Sequence, residues 1–100
     1  MTQTSLGQTL IPQRFEYRDP DARNVTLLGS FNGWDPVATP MRRKTDGLWI
    51  ATVRLQPGRH EYKYLVDGEW RRETTCEELD RDCPHCVPNN YGTMNCVLEL

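Results

Sequence analysis

The sequence predicts an all-β fold, an antiparallel sandwich of about seven short strands. Short runs of alternating polar and apolar residues recur along the chain, and this period of two is typical of half-buried strands. Turn signals built from Gly, Asn, Asp and Pro separate these runs at intervals of roughly eight to twelve residues. No segment has an apolar period that predicts a long helix, and only a single helical turn is expected, over residues 77–81.

The chain divides into a leader and one domain. Residues 1–13 are polar, have no sustained period and are expected to be a flexible leader, so the predicted domain covers residues 14–100. Its extended runs are residues 14–18, 24–29, 48–55, 59–66, 69–72 and 93–100. Residues 36–45 contain two prolines and a basic triplet, so they are expected to form an irregular connection or an edge strand.

Tight turns at Asp46-Gly47, Gln56-Pro57-Gly58 and Asp67-Gly68 flank the two central runs. Alternation along these runs assigns seven side chains to the core: Trp49, Ala51, Val53, Leu55, Tyr62, Tyr64 and Val66. Lys63 then lies on the opposite face from the two tyrosines, where we expect it to face outward.

Composition excludes several classes of partner. One hundred residues, with 37% hydrophobic and 26% charged side chains, are ordinary for one soluble globular domain. The net charge of −2 lacks the basic excess of a nucleic-acid-binding protein. No run approaches the ~18 apolar residues that span a bilayer, and the N-terminus has no secretory signal. We therefore expect a cytoplasmic protein without a membrane or nucleic-acid partner.

Two tryptophans follow tight turns, where a large aromatic side chain is rarely buried on both sides. Trp34 ends the stretch Ser30–Trp34 (SFNGW), directly after an Asn-Gly pair, and Trp70 follows Asp67-Gly68. A flat indole on a rigid loop can grip the apolar face of a planar ligand. The sequence thus raises the question of whether both rings face one ligand.

Three stretches, in this order, carry a resemblance to a known family: residues 25–35 (VTLLGSFNGWD), 55–70 (LQPGRHEYKYLVDGEW) and 91–100 (YGTMNCVLEL). Together they resemble carbohydrate-binding module family 48. That family includes the glycogen-binding domain of the AMP-activated protein kinase beta subunit and the N-terminal modules of branching and debranching enzymes. The resemblance implies an early-set immunoglobulin-like sandwich that binds α-1,4-glucans such as glycogen, starch or maltooligosaccharides.

The resemblance also implies a set of carbohydrate-binding residues. The family's two stacking tryptophans match Trp34 and Trp70, its ligand-contacting lysine matches Lys63, and its last-loop threonine and asparagine match Thr93 and Asn95. Tyr91 stands where the kinase module has a hydrophobic residue, and it is included as a candidate contact. The family's short loop after the second tryptophan is replaced here by a cysteine-rich insertion, residues 73–90.

No catalytic arrangement is evident. No serine lies in a nucleophile elbow, no pair of carboxylates is placed to flank a cleft, and phosphate-binding glycine motifs are absent. The leading hypothesis is therefore a non-catalytic glucan-binding module that needs no cofactor and targets or regulates a glycogen-metabolising enzyme or kinase. The alternatives are a protein-interaction module that has lost sugar binding and uses the cysteine-rich insertion, or a fragment of an enzyme.

The four cysteines are not explained by the resemblance. Cys83 and Cys86 form a C-x-x-C pair around Pro84 and His85, with Cys76 before them and Cys96 after them. Four thiolates, or three with His85, could hold a structural zinc ion that pins the insertion to the last strand. Disulfides, for example between Cys86 and Cys96, and free thiols are the other two interpretations.

Overall fold

A computed structural model describes residues 9–100 as two antiparallel β-sheets packed face to face. In the first sheet, β4 (Leu48–Leu55) lies between β1 (Ile11–Arg18) and β3 (Arg42–Arg43). The second sheet runs in the order β2 (Val25–Gly29), β5 (Arg59–Val66), β8 (Met94–Glu99) and β7 (Cys86–Pro88). Its remaining strand, β6 (Glu69–Arg71), pairs with β5. The predicted all-β sandwich is therefore confirmed.

The strand bounds follow the predicted runs closely in the middle of the chain and less closely elsewhere. β4 and β5 have the predicted bounds, and residues 36–45 contribute only the two-residue edge strand β3. β1 begins at Ile11, three residues before the expected start, and continues in register opposite β4. Pro12 is tolerated there because β1 is an edge strand, where a missing N–H costs no ladder bond. Residues 1–8 of the predicted leader lie outside the described residues.

The insertion contains more structure than the sequence predicts. A short helix, α1 (Thr74–Leu79), is followed by a 3₁₀ turn at Asp80–Asp82 and then by β7. The predicted helical turn over residues 77–81 falls across the end of α1 and this 3₁₀ turn. β7 was not predicted, because the sequence of three residues, Cys-Val-Pro, has no alternation to detect.

Aromatic side chains from both sheets meet in the core. Phe15 of β1 contacts Tyr62 of β5 edge-on, with 5.0 Å between ring centroids, and Tyr17 lies 5.0 Å from Tyr64. The predicted core position of Trp49 is confirmed, and its indole N–H donates to the carbonyl of Asp19 at 3.1 Å. This core fixes which side of the second sheet remains available for binding.

We call that available side the outer face: the side of the second sheet that is turned away from the core. Leu27 and Tyr64 are register partners and both are fully buried in the core. Their neighbours Leu28 and Lys63, also register partners, consequently lie on the outer face. Trp70 lies on this face as well, because it pairs with Leu65 of β5. Among the described residues no helix is long and apolar enough to cross a membrane.

Candidate functional site

The Asp67-Gly68 turn positions Trp70. Both residues have positive φ (49° and 86°), the geometry of the two-residue hairpin turn that the Asp-Gly pair predicts. The Asp67 carboxylate also accepts hydrogen bonds from the backbone N–H groups of Arg23, at 2.9 Å, and Asn24, at 2.7 Å. The turn is thereby tied to the start of β2, and the following strand presents Trp70 with 51% of its surface exposed.

Lys63 lies beside Trp70 on the outer face, but it is buried rather than solvated. Only 7% of Lys63 is exposed. Its Nζ donates to Thr93 Oγ1 at 3.1 Å and lies 5.7 Å from the centroid of the Trp70 ring, within cation–π range. Burial, and then the positive charge of Arg72, lower the pKa of Lys63. The expectation that Lys63 faces outward is right about the face and wrong about its exposure.

A small amide network links Thr93 to Asn95. The Asn89 Nδ2 group donates to Thr93 Oγ1 at 2.7 Å and to Asn95 Oδ1 at 2.9 Å. Asn95, which is 7% exposed, donates in turn to Glu61 Oε1 at 3.1 Å. Both the oxygen and the nitrogen of the Asn95 amide are thus hydrogen-bonded. Thr93 is exposed, and its hydroxyl oxygen accepts a hydrogen bond from the Lys63 ammonium group.

Each residue before Trp34 has a defined role in the Ser30–Trp34 stretch. Ser30 Oγ accepts the backbone N–H of Glu61 at 3.1 Å and so attaches the loop to β5. Phe31 packs over Gly29, where a Cβ atom would collide with its ring, and lies 5.7 Å from Phe15. Asn32 Oδ1 accepts the backbone N–H of Gly29, and Asn32 Nδ2 donates to the carbonyl of Leu27, both at 3.0 Å.

The loop closes with two successive left-handed residues. Gly33 has φ 68° and Trp34 has φ 58°, and the Trp34 N–H donates to the carbonyl of Gly29 at 3.0 Å. Trp34 is half-buried, and among the described residues its ring makes no aromatic contact and its indole N–H no hydrogen bond. A β-carbon in this conformation costs about 1–2 kcal/mol, so the fold holds Trp34 in strained backbone.

Topology places the two candidate tryptophans on either side of β5. The Trp34 loop continues from β2, which pairs with one edge of β5, whereas Trp70 belongs to β6 on the other edge. Lys63, in the middle of β5, lies between these two strands. No hydrogen bond or ring contact within residues 9–100 joins Trp34 to Trp70 or Lys63 directly.

Tyr91 lies at the tip of the loop between β7 and β8 and is 90% exposed. Its backbone N–H donates to Asn89 Oδ1 at 2.9 Å, as does that of Thr93 at 3.1 Å. The Asn89 side chain therefore organises this loop from below, while the Tyr91 ring projects away from it.

The insertion forms one wall of a groove on the outer face. A cavity of about 270 Å³ lies between Lys63, Trp70 and Thr93 on the sheet and Glu77, Asp80 and Arg81 on the insertion. Arg72 joins the two sides: its guanidinium binds Asp80 at 3.2 Å, and its backbone N–H donates to Glu77 Oε2 at 3.1 Å. Trp70, Lys63 and Thr93 therefore share one site with charged groups of the insertion.

All four cysteines of the insertion and β8 meet behind this wall as free thiols. The Sγ atoms of Cys76, Cys86 and Cys96 lie within 4.8 Å of one another, and Cys83 Sγ is 2.6 Å from Cys86 Sγ. Burial raises the pKa of Cys96 to about 11. His85, the other candidate ligand, is exposed and lies outside the group of three sulfurs.

Sequence reasoning missed the residues that support the site. Asn89 organises the Thr93 loop, and the pair Asn89-Asn90 before Tyr91-Gly92 is a turn signal that could have identified it. Alternation along β5 places Glu61 on the same face as Lys63. Its contact with Asn95 also depends on the register of β5 and β8, which the sequence does not give. The groove contacts of Glu77 and Asp80 have no signal in the sequence, because they depend on how the insertion folds back.

Comparison with known proteins identifies the family. Residues 11–100 match the family described as the glycogen recognition site of AMP-activated protein kinase. The chain is 51% identical over 57 residues to the 1,4-alpha-glucan branching enzyme GlgB of Pseudomonas syringae pv. tomato, covering 55% of this chain and 8% of the enzyme. It is 44% identical over 52 residues to the chloroplastic protein FLOURY ENDOSPERM 6 of Oryza sativa subsp. japonica, covering 52% of this chain and 10% of that protein.

The most extended of these matches is to a kinase subunit. The chain is 31% identical over 78 residues to the 5'-AMP-activated protein kinase subunit beta-1 of Sus scrofa, which covers 78% of this chain and 55% of the subunit. The chain thus spans between 8% and 55% of the length of these relatives. The match of the family over residues 11–100 nevertheless includes both sheets and the insertion. The chain belongs to the family described as the glycogen recognition site of AMP-activated protein kinase.

Proposed function

We propose that the outer face binds α-1,4-linked glucan chains without transforming them. The observation that carries the proposal is the half-exposed Trp70 ring beside the ammonium group of Lys63 and the hydroxyl of Thr93. A glucose ring has an apolar face of axial hydrogens and an edge of hydroxyls. An aromatic plane next to short polar groups is complementary to both.

In this proposal the six predicted residues make different kinds of contact with the sugar. Trp70 and Trp34 stack on successive rings, and Thr93 and Lys63 exchange hydrogen bonds with hydroxyls at the ring edge. Asn95 contributes after exchanging one of its present amide partners, and Tyr91 packs against the end of the chain. The support for this assignment is the outer face shared by Lys63 and Trp70, the position of the two tryptophans on opposite sides of β5, and membership of the glycogen-recognition family.

The stacking contacts predict a weak ligand. Covering about 100 Å² of sugar and indole at about 25 cal/mol per Å² gives about 2.5 kcal/mol gross per tryptophan. Two such contacts, less the cost of association, correspond to dissociation constants in the micromolar to millimolar range for a short oligosaccharide. A polymer with many binding sites increases retention when several copies act together.

We further propose that the chain is not itself an enzyme and that it targets or regulates a glycogen-metabolising enzyme or kinase in the cytoplasm. Stacking and hydrogen bonding to a sugar require no cofactor. A metal ion at the cysteine cluster would be structural. The support is the family match and the naming of a branching enzyme and a kinase subunit among the relatives.

Affinity electrophoresis through gels that contain glycogen tests the proposal. Trp70→Ala removes a side chain that is 51% exposed, so the sandwich is expected to remain folded while glycogen affinity falls at least about ten-fold, because 1.4 kcal/mol corresponds to a factor of ten. Isothermal titration calorimetry with a maltooligosaccharide supplies the affinities.

Thr52→Ala is the matched control, since Thr52 is exposed on β4 in the other sheet and its substitution is expected to leave retardation unchanged. Wild-type protein that runs unretarded by glycogen contradicts glucan binding. Retardation that survives Trp70→Ala, in a variant with an unaltered melting temperature, contradicts only the assignment of the site.

A further inference from the structure

The cysteine cluster draws on three separate elements. Cys76 belongs to α1 and Cys96 belongs to β8. Cys83 lies just before β7, and Cys86 is the first residue of that strand. The strand register brings Cys86 directly opposite Cys96, and the fold of the insertion brings Cys76 and Cys83 to the same point. Residues as far apart as 76 and 96 thus converge through tertiary structure.

Three of the sulfur atoms form one group, and Cys83 adjoins it through Cys86. Cys86 Sγ lies 2.6 Å from Cys83 Sγ and within 4.8 Å of both Cys76 and Cys96. Cys76 is also within hydrogen-bonding reach of Cys83, so each sulfur has more than one sulfur neighbour. Two disulfides need two separate pairs, whereas convergence of four thiols on one centre is the donor set of a tetrahedral metal site.

The size of the group suits one ion. Tetrahedral zinc with bonds of about 2.3 Å to sulfur sets sulfur–sulfur separations near about 3.8 Å. The 4.8 Å limit for three of the sulfurs is compatible with this value. Cys83 lies outside that group of three, so it has to shift away from Cys86 by roughly 1 Å and closer to the rest of the group to become the fourth ligand. An iron–sulfur cluster, with its own iron and sulfide atoms between the cysteines, needs a wider separation.

Hydrogen-bond donors are directed at the cysteine sulfurs. The Arg72 guanidinium donates to Cys86 Sγ at 3.4 Å, and the backbone N–H groups of His85 and Glu73 donate to Cys83 and Cys96. A zinc ion with four thiolates carries a net negative charge, which the arginine and these N–H groups partly offset. Such donors orient the ligands of a metal site.

The insertion also needs an anchor. Between residues 73 and 90 the only buried side chains are Cys76 and Cys83, while Leu79 is exposed. A six-residue helix is not stable by itself, and this one has little apolar surface with which to dock. A metal bond between α1, the Cys83–Cys86 segment and β8 would supply that attachment.

From this arrangement we propose that Cys76, Cys83, Cys86 and Cys96 bind one zinc ion as four thiolates. The thiols release their protons to solvent as the ion binds, and no electron is transferred. The ion fixes α1 against the second sheet and thereby holds Glu77, Asp80 and Arg81 in the wall of the groove beside Trp70. This consequence for the groove rests on the proposed glucan binding, but the metal site itself does not.

Metal analysis of wild-type protein tests the site directly. Protein prepared with Zn²⁺ and freed of unbound metal is expected to hold one zinc per chain, and titration with a mercurial thiol reagent is expected to release it as four thiols react. Replacement by Co²⁺ is expected to give the visible d–d bands and the sulfur-to-metal charge-transfer band of a tetrahedral thiolate site. Chelation is expected to lower the melting temperature.

Two substitutions define the ligands. Cys83→Ser is expected to abolish stoichiometric zinc binding, and His85→Ala, two residues away and exposed, is the matched control that retains it. Wild-type protein with no zinc and four reactive thiols, or with fewer than four thiols under non-reducing denaturing conditions, overturns the proposal. Loss of zinc in His85→Ala overturns the four-thiolate ligand set. Bound iron in place of zinc overturns the identity of the metal.

The effect on the groove is measured separately. Zinc-depleted protein is expected to lose affinity for a maltooligosaccharide relative to zinc-loaded protein, because the insertion wall is no longer fixed. Unchanged affinity overturns the link to the groove. Absence of glucan binding in both forms, with one zinc present, contradicts the proposed function and leaves the metal site standing.

Discussion

Trp34 occupies a backbone conformation that usually belongs to glycine. Its φ of 58° follows that of Gly33 at 68°, and its N–H is held by the carbonyl of Gly29. The three hydrogen bonds of the Asn32 amide and the packing of Phe31 over Gly29 hold the loop that precedes Trp34 in place. Within residues 9–100 no hydrogen bond or ring contact of the indole explains why this strained conformation is kept, and a binding role would explain it.

Comparing two substitutions separates the strain from the binding. Trp34→Gly and Trp34→Ala both remove the indole, and both are expected to lose glucan affinity. Since glycine has no β-carbon to clash in the left-handed region, Trp34→Gly is expected to be about 1 kcal/mol more stable than Trp34→Ala. Urea denaturation of both variants and glycogen electrophoresis give the two readouts.

Equal stability of the two variants would show that residue 34 is not held at positive φ in solution. Full glucan affinity in both would remove Trp34 from the site and leave Trp70 alone as the stacking residue.

Among the elements, the insertion is attached to the core by a half-buried carboxylate, that of Glu73. Glu73 stands at the start of α1, but its side chain points into the core and makes no capping hydrogen bond. There Glu73 Oε2 accepts the hydroxyl groups of Tyr62 at 2.9 Å and Tyr64 at 3.0 Å. Burial raises the pKa of Glu73, although the two tyrosine hydrogen bonds act in the opposite direction. These bonds therefore stabilise both the carboxylate and the docking of the insertion.

Removing one hydroxyl tests this attachment. Tyr62→Phe keeps the ring that packs on Phe15 and is expected to lower the free energy of unfolding by about 1.5–3 kcal/mol, because hydrogen bonds to charged groups are worth about that much. Tyr17→Phe is the control, since within the described residues the Tyr17 hydroxyl has no hydrogen-bond partner. Chemical denaturation at neutral pH measures both. A loss no larger for Tyr62→Phe than for Tyr17→Phe would contradict the anchoring role of Glu73.

For the whole molecule, the sandwich architecture limits binding to a shallow surface. Aromatic side chains from both sheets fill the core, so the candidate site lies on the outer face and in the groove beside the insertion. A shallow site that covers a few sugar rings binds weakly and suits a polymer that offers many equivalent rings. Retention on glycogen is then expected to increase when several copies act together.

Linking two copies tests this expectation. Two domains joined by a flexible Gly/Ser linker are expected to bind glycogen about 10²-fold more tightly than one domain, because the second contact becomes intramolecular. The affinity for a maltooligosaccharide too short to reach both sites is expected to be unchanged per domain. A tandem protein carrying Trp70→Ala in one copy is the control and should behave as a single domain. No gain for the unmodified tandem protein would contradict binding along a repeating polymer.

The sequence by itself determined the strands of the sandwich and the residues at its turns. Alternation placed Trp49 and the two core tyrosines correctly, because strand side chains alternate between faces with a fixed period of two. The Asp67-Gly68 pair predicted its tight turn, since local steric rules govern such turns. Motif order also indicated the family, which the match over residues 11–100 confirms.

Tertiary structure decided what surrounds these side chains. Lys63 is buried because Trp70 and Thr93 come to it from other strands, a feature that alternation along β5 cannot reveal. Asn89 and Glu61 support Asn95 only because β7, β8 and β5 adopt one particular register. The four cysteines likewise converge through contacts between residues distant in sequence. Local patterns specify the face on which a side chain lies, whereas its neighbours depend on how the whole chain folds.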